Sequence, residues 1–373
     1  MYRVAISSTG LYIPPETISN EELVAAYNTY VLHENTRHSN DIEAGTFTPL
    51  IESSVAFIEK ASGIQSRYVM NKSGILDPAR MRPRLQARED GRISLMAEIA
   101  VQAAQAALHS AGKVAADVDG VICAAANMQR AYPSMAIEIQ TAMGIEGYGF
   151  DMNVACSSAT FAIEQAVNAV RCGSARALLV VNPEITSAHL AWTDRDCHFI
   201  FGDVCTALLI ERLELAPDGA FEVLGTRLQS KFSSNIRNNF GFLTRSEDRD
   251  ENARDLLFRQ EGRKVFKEVC PMAAEHMTSH LATLQLQAKD VRRFWLHQAN
   301  LSMNQLISRK MLGRDASLDE APVILNEFAN TASAGSIIAF HRHNADIQTG
   351  EVGVICSFGA GYSIGSVILK RLP

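Results

Sequence analysis

The sequence predicts an α/β fold made of two pseudo-symmetric halves of βαβ type, stacked as a layered α-β-α-β-α sandwich. Three observations predict it: length and composition, the alternation of apolar runs with helical stretches, and an internal duplication. The chain has 373 residues, room for two to three domains at roughly 150 residues each. Hydrophobic residues are 47% and charged residues 20%, which excludes disorder over most of the length. Short runs such as VICAAA are apolar throughout and alternate with Ala-rich helical segments. That is the pattern of strands buried on both faces between helices, and it predicts parallel sheet.

The duplication shows as ordered anchors. Asp117-Val118 leads into DGVICAAAN, ending at Asn127, and Asp290-Val291 leads into RRFWLHQAN, ending at Asn300, both at an offset of 173. DMNVACSSAT around Cys156 parallels ILNEFANTASAG around Asn330 at 174, and ALLVVN through Val180 parallels EVGVICS through Ile355 at 175. Four anchors at nearly one offset indicate two copies of one unit, dividing the chain into halves 1–227 and 228–373.

Within the first half, MYRVAISSTG reads as a strand and turn, without the basic start and long apolar core of a signal peptide. Ser19 and Glu22 form a capping-box pattern opening a helix. Residues 93–112 read as a helix closed by Gly112, and FAIEQAVNAVRCG as one closed by Gly173. Two stretches fall outside the repeat: an insertion at 27–55, polar and mixed, and a charged linker at 228–260 joining the halves. Each is a solvated excursion or a binding loop.

Charge and cysteine usage narrow the function classes. A net charge of −6 with no Lys/Arg-rich run excludes non-specific nucleic-acid binding as the main activity. No apolar run approaches the length of a bilayer span, so the expectation is a cytoplasmic protein with no membrane partner. Seven cysteines without a CxxC pair fit reduced thiols, and neither a disulfide framework nor a structural zinc site.

Cys156 lies between a strand-like DMNVA and a helix-like SSATFAIEQAV. A thiol at a helix N-terminus is favoured as thiolate, and its small neighbours leave room for a substrate, so it is a nucleophile or a buried core cysteine. His297 closes the strand RRFWLHQAN, a structural histidine unless the halves pack about a pseudo-twofold axis. Asn330, at the place in the second copy that Cys156 holds in the first, either caps a helix or meets Cys156 and His297 at that axis. SFGAGYSIGS lacks the Walker lysine of a phosphate cradle and is suited to an oxyanion hole. His276 and His280 have zinc-motif spacing without its glutamate, so no metal is expected. His341 and His343 read as surface residues.

At these residues the chain resembles a known family. NVACSSAT, HQAN, ANTASAG and SFGAGYSIGS, in that order, resemble the β-ketoacyl-acyl-carrier-protein synthase III group of thiolase-fold condensing enzymes. TDRDCHFIFGDVCTALLI (193–210) and EGRKVFKEV (261–269) resemble that group too, and the likeness runs from Gly10 nearly to the end, interrupted by 27–55 and parts of 228–260. The resemblance implies a thiolase-like fold and an acyltransferase of fatty acid biosynthesis that joins an acyl-CoA primer to malonyl-acyl carrier protein. Cys156 would carry the acyl group, His297 and Asn330 would donate hydrogen bonds to the malonyl thioester, and the Cys156 and Ala360 N–H groups would form the oxyanion hole. Phe358 would line the site, Phe266 and Lys267 would flank the entry tunnel, and Arg195 would face the CoA adenine. Coenzyme A enters as part of the substrate, with no other cofactor.

Some positions depart from the group's pattern. Phe57 and Ala61 stand where Trp and Arg are usual at the CoA mouth, and Ser302 stands where Arg often follows HQAN-Leu. Asn300 belongs to the same CoA- and carrier-facing set, with Arg263, Lys264, Lys267, Arg309 and Lys310 as a basic patch for an acidic carrier. A homodimer is implied, with Tyr132 at the position from which the partner closes the acyl pocket. These changes favour a primer longer than acetyl. The alternatives are a relative using the same three residues for polyketide or quinolone acyl transfer, a papain-like hydrolase, which VACSSAT and the duplication oppose, and a scaffold without catalysis.

Overall fold

The computed structural model describes residues 1–373. The first half supplies strands β1 (Val4–Tyr12), β2 (Gly120–Ala124), β3 (Tyr148–Met152), β4 (Ala177–Glu184) and β5 (Val204–Arg212). The second supplies β6 (Phe221–Ser233), β7 (Val291–Leu296), β8 (Val352–Gly359) and β9 (Gly361–Arg371). Their order in one continuous sheet is β7-β8-β9-β6-β1-β5-β4-β2-β3. Outward from the centre, β1-β5-β4-β2 in one half matches β6-β9-β8-β7 in the other, and only Ala5↔Glu222 and Ile6↔Phe221 pair across the join.

The repeat holds at the level of register. Gly120 pairs with Leu178 and Arg293 with Gly353, positions related by the predicted offsets of 173 and 175. Ahead of β2 and β7, matching turns are closed by Asp117 accepting from the Val114 N–H (2.9 Å) and Asp290 accepting from the Gln287 N–H (2.8 Å). The expectation of parallel sheet is corrected: β4-β2-β3 and β7-β8 are parallel, and every other pairing is antiparallel. The reason is connectivity. β4 leads to β5, and β8 to β9, without a crossover helix, and such returns run antiparallel. The 227/228 division also falls inside β6, so the halves separate at the turn before Phe221.

The longer helices are α1 (Asn20–Arg37), α2 (Val55–Ser62), α3 (Leu95–Ser110), α4 (Met135–Met143), α5 (Ser158–Cys172), α6 (Gly262–Thr283), α7 (Leu301–Leu312) and α8 (Gly335–Arg342). α3 and α4 cover the outer face of the first half, α6 with α7 the outer face of the second, and α5 and α8 lie between the sheet halves. The five layers are those the sequence predicts. α3 shows why the sequence folds so: Ser94 caps it by accepting from the Ala97 N–H (3.1 Å), and Ala97, Ala100, Ala103, Ala104 and Ala107 are buried. That alanine stripe lies so close to β1 that a Cβ at Gly10 would fall 2.0 Å from the Ala103 carbonyl oxygen. Gly112 and Gly173 end α3 and α5 at φ 64° and 84°, where only glycine avoids a steric cost.

The 27–55 segment is no free excursion. α1 continues through it to Arg37, and Asn28 and Asn35 staple the returning chain onto the helix. Asn28 exchanges hydrogen bonds with the Ser53 backbone (3.1 and 2.8 Å), and Asn35 does the same with Leu50 (3.0 and 2.8 Å). His341 and His343 are not surface residues either. Both are half-buried, His341 against Thr9 of β1 (2.7 Å), while the His343 carbonyl accepts from Arg293 and Trp295. No helix is long and apolar enough to cross a membrane.

Candidate active site

Two turns of one design meet at the pseudo-twofold axis. In the first half, Ala155–Ser157 is a 3₁₀ turn between β3 and α5, with Ala155 at φ 47°, and the Asn153 side-chain oxygen accepts from the Ala155 N–H (2.9 Å). In the second, Ala332–Ala334 precedes α8, with Ala332 at φ 48°, and Asn330 accepts from the Ala332 N–H (2.9 Å). A left-handed alanine is uncommon and costs of order 1–3 kcal/mol, so finding it twice fixes the register. Ala155 corresponds to Ala332, Cys156 to Ser333 and Asn153 to Asn330. The predicted equivalence of Cys156 with Asn330 is therefore three residues out: the spacing grows here, and the Asn-x-Ala signature sets the match.

Cys156 lines a cavity of about 990 Å³ together with His297, Asn330, Phe358 and Gly359. β8 passes so close that a Cβ at Gly359 would stand 2.6 Å from the Cys156 Cβ and 3.1 Å from its sulfur. The backbone N–H groups of Ala360 and Cys156 address the sulfur. The thiolate expected from the helix terminus is not what the environment favours. Burial, and then the Glu184 carboxylate, push the thiol up to about 12, outweighing the two N–H groups.

His297 follows β7, where its backbone N–H donates to the Cys356 carbonyl (2.8 Å), and Phe358 meets its ring edge-on (centroids 5.2 Å apart, 85°). Burial lowers its pKa to about 4, so the imidazole is neutral. Nδ1 is buried without a partner, and a bare lone pair is tolerated there better than an N–H. The proton accordingly sits on Nε2. Asn330 is held by the Ala332 N–H on its oxygen, which leaves its amide N–H groups free as donors.

At the mouth, Phe57, Phe266, Lys267, Arg263, Ala61 and Ser302 line the cavity. Arg195 stacks over Phe57 at 3.9 Å and donates from Nε to the Glu52 carbonyl (2.7 Å), so the end of the 27–55 segment holds it. Asn300 is a correction: it lines the cavity, but its oxygen caps α7 at the Ser302 N–H (2.9 Å) and its amide donates to the Ala61 carbonyl (2.6 Å), leaving nothing for a ligand. Of the basic patch, Arg263 and Lys267 reach the cavity, while Arg309 pairs with Asp315 (2.5 Å) and Lys264 lies 3.9 Å from Glu261. Tyr132 is 81% exposed and away from the cavity. His276 and His280 are buried on α6 against Gln229 (3.1 Å) and Ser366 (2.7 Å). No cluster of three metal-ligating side chains occurs.

Sequence reasoning missed three features. Glu184, at the end of β4, is buried beside both turns, and its only sequence signal is an acid closing an apolar run. Gly359 is a steric necessity that shows only once β8 is placed against Cys156. Arg254 bridges from the linker to Asp194 (2.5 Å) at the cavity wall, a contact between segments 60 residues apart.

A buried thiol under two N–H groups, opposite a neutral imidazole and a free amide on a duplicated α/β frame, describes a condensing acyltransferase of thiolase fold. Comparison with known proteins makes this specific. Residues 150–231 match the family model for 3-oxoacyl-[acyl-carrier-protein] synthase III, and 281–371 match that of its C-terminal region. The chain is 59% identical over 347 residues to the β-ketodecanoyl-[acyl-carrier-protein] synthase of Pseudomonas aeruginosa, covering 93% of this chain and 99% of that relative. It is 27% identical over 376 residues to the β-ketoacyl-[acyl-carrier-protein] synthase III of Granulibacter bethesdensis, covering 99% and 100%. The crystal structure of 3-oxoacyl-[acyl-carrier-protein] synthase III from Aquifex aeolicus superposes with a TM-score of 0.76 at 22% identity, covering 98% of this chain and 99% of that one. The chain belongs to the β-ketoacyl-acyl-carrier-protein synthase III family, the acyl-transferring, condensing enzymes of fatty acid biosynthesis.

Proposed function

We propose that the protein loads an eight-carbon acyl group from acyl-CoA onto Cys156 and condenses it with malonyl-acyl carrier protein to a β-ketodecanoyl product. The single observation that carries the chain length is the 59% identity to a β-ketodecanoyl synthase. A ten-carbon ketoacyl product contains two carbons from malonate after loss of CO₂, so its primer has eight. The aromatic and aliphatic cavity wall formed by Phe199, Ile200, Phe201, Ile236 and Phe258 suits an apolar chain.

The site chemistry follows. The Cys156 sulfur attacks the thioester carbonyl, and the Cys156 and Ala360 N–H groups hold the oxyanion. The C–S bond to CoA breaks, and the thiol proton departs with the CoA sulfur, leaving a neutral thioester on the enzyme. Malonyl carrier then binds with its thioester carbonyl facing His297 Nε2–H and the Asn330 amide. As the carboxylate leaves as CO₂, charge builds on that oxygen and both bonds strengthen, which lowers the barrier rather than merely binding substrate. The enolate carbon attacks the acyl group and the Cys156 sulfur leaves. Nothing in this sequence calls for a metal or a redox group. Arg195 offers the open face of its guanidinium to the adenine, with Arg263 and Lys267 near the phosphates. Lys267 and Arg263 also meet the acidic carrier. The enzyme works as a cytoplasmic homodimer in which exposed Tyr132 closes the partner's acyl pocket.

Intact-mass spectrometry after exposure to acyl-CoAs of two to twelve carbons tests this, with Cys156→Ala as control. Octanoyl is expected to load best and the control not at all. Each of the six methylenes beyond acetyl contributes about 0.8 kcal/mol when buried, a ceiling near 5 kcal/mol, so octanoyl should exceed acetyl by up to roughly 10³-fold in kcat/KM. Equal loading of acetyl and octanoyl would sink the chain-length assignment.

A further inference from the structure

We propose that Glu184 is a positioning residue that ties the Cys156 turn to the Asn330 turn and so fixes the nucleophile relative to the enolate donors. The proposal rests on the roles given to Cys156 and Asn330 above. Glu184 ends β4 with its side chain 1% exposed, in the middle of the molecule where the two turns abut. One carboxylate oxygen takes three hydrogen bonds: from the Ala126 N–H (2.9 Å), from the Ser333 N–H (3.1 Å) and from the Ser333 hydroxyl.

From that oxygen a hydrogen-bonded path runs to each turn. On one side the Ala126 carbonyl accepts from Asn153 (2.9 Å), whose oxygen in turn holds the Ala155 N–H next to Cys156. On the other, Ser333 is bonded to Ala332, whose N–H fixes Asn330. Both turns carry a left-handed alanine, a conformation that persists only where the surroundings over-determine it. Glu184 is the group common to the two.

The duplication gives an independent argument. The β4 and β8 registers relate Glu184 to Gly359, and the turns relate Ser333 to Cys156. Gly359 lies against Cys156 and Glu184 bonds Ser333, so the same contact occurs once as open space under a nucleophile and once as a filled, bonded lock. Asp203 is the one other carboxylate acting on Glu184, and Glu184 is the one charged side chain acting on the Cys156 thiol.

The test compares Glu184→Ala, Glu184→Gln and Ser333→Ala with the native enzyme. Displacing a reacting group by about 1 Å costs on the order of 100-fold. E184A is therefore expected to lose roughly that in kcat with its KM for acyl-CoA within about threefold, and E184Q, which keeps the accepting oxygen, to recover to within about tenfold of native. S333A should slow malonyl decarboxylation more than Cys156 loading. A folded E184A with kcat within about threefold of native overturns the proposal. If E184A does not fold, the other two variants decide it in the same way. Alkylation of Cys156 by iodoacetamide at pH 9 needs no substrate, and exposed Cys172 provides the internal reference. Removing the buried charge in E184Q should quicken it roughly threefold or more, and an unchanged rate also overturns the proposal. Failure of the native enzyme to load any acyl-CoA would instead refute the assigned function, and the alkylation result would stand apart from it.

Discussion

Gly359→Ala adds one methyl group where the structure has no room for it. The new Cβ would stand 2.6 Å from the Cys156 Cβ and 3.1 Å from its sulfur. Carbon atoms in contact settle at about 3.5–4.0 Å, so the β8 backbone and the Cys156 turn must separate by roughly 0.9 Å or more. Gly359 is not among the left-handed glycines, so alanine meets no backbone objection and the effect is steric alone. Overpacking of this kind costs about 1–3 kcal/mol of stability, which a chain of this size survives. The larger consequence is kinetic. The Ala360 N–H, one residue on, moves with the strand while the sulfur moves the other way, and a misplacement near 1 Å costs on the order of 100-fold, or about 2.7 kcal/mol of barrier. Rapid-quench measurement of Cys156 octanoylation by intact mass reads that step alone, with a melting curve to report folding. Loading within about threefold of native, with an unchanged melting temperature, would refute the geometry assigned to the oxyanion hole.

The remaining site residues give separable outcomes. His297→Ala and Asn330→Ala each remove one enolate donor, worth roughly 10²–10³ in rate. Malonyl decarboxylation should fall by that amount while Cys156 loading persists, a division read by CO₂ release against acyl-enzyme mass. Arg195→Ala removes the guanidinium that lies over Phe57 and faces the adenine. A cation–π contact is worth about 0.5–2 kcal/mol, so KM for acyl-CoA should rise roughly 3- to 30-fold while KM for malonyl carrier is unchanged. Stability should fall steeply in acid. Burial holds His189, His198, His276, His280 and His297 at about 4, so near pH 5 the unfolded chain binds five protons there that the folded chain does not. Glu184 at about 8 and Asp203 at about 6 hold protons in the folded chain that the unfolded one has released, offsetting two. A net excess of about three in the unfolded state makes stability rise with pH by up to about 4 kcal/mol per unit. Urea midpoints between pH 4.5 and 6.5 measure it, and a flat profile would show that these histidines are not buried neutral.

The fold was legible because the signals that carried it are local and were repeated. Helix α3 announced itself by Ser94, the alanine spacing and Gly112, and the duplicated anchors matched β2 and β4 with β7 and β8 by spacing alone. Sheet direction was not legible from apolar runs, since β4 and β5 look the same in sequence whether paired parallel or antiparallel. Cys156, His297 and Asn330 were found together because an axis of duplication brings strand ends to one place. The thiol's environment was misread, since a helix terminus is visible in sequence while the burial that opposes it depends on β8 and Glu184, far along the chain. Asn300 was misread for a similar reason: its two bonds, to Ser302 and Ala61, join segments whose contact no spacing reveals.

The two turns also show how one unit came to do two jobs. In the first half both ends of the Asn153 amide are occupied, its oxygen by the Ala155 N–H and its nitrogen by the Ala126 carbonyl. The pseudo-symmetric partner of that carbonyl is Ala299, which lines the cavity instead. In the second half only the oxygen bond is kept, to the Ala332 N–H. Losing the nitrogen's partner converts a structural asparagine into one that holds its position and still has a donor to give. The reciprocal change sits three residues on, where Cys156 faces open space beside Gly359 while Ser333 is bonded to Glu184. Each half thus keeps the fold of the turn and frees a different side chain from it, and the nucleophile and the amide donor face one cavity because they are the two freed positions of a single motif brought together at its axis.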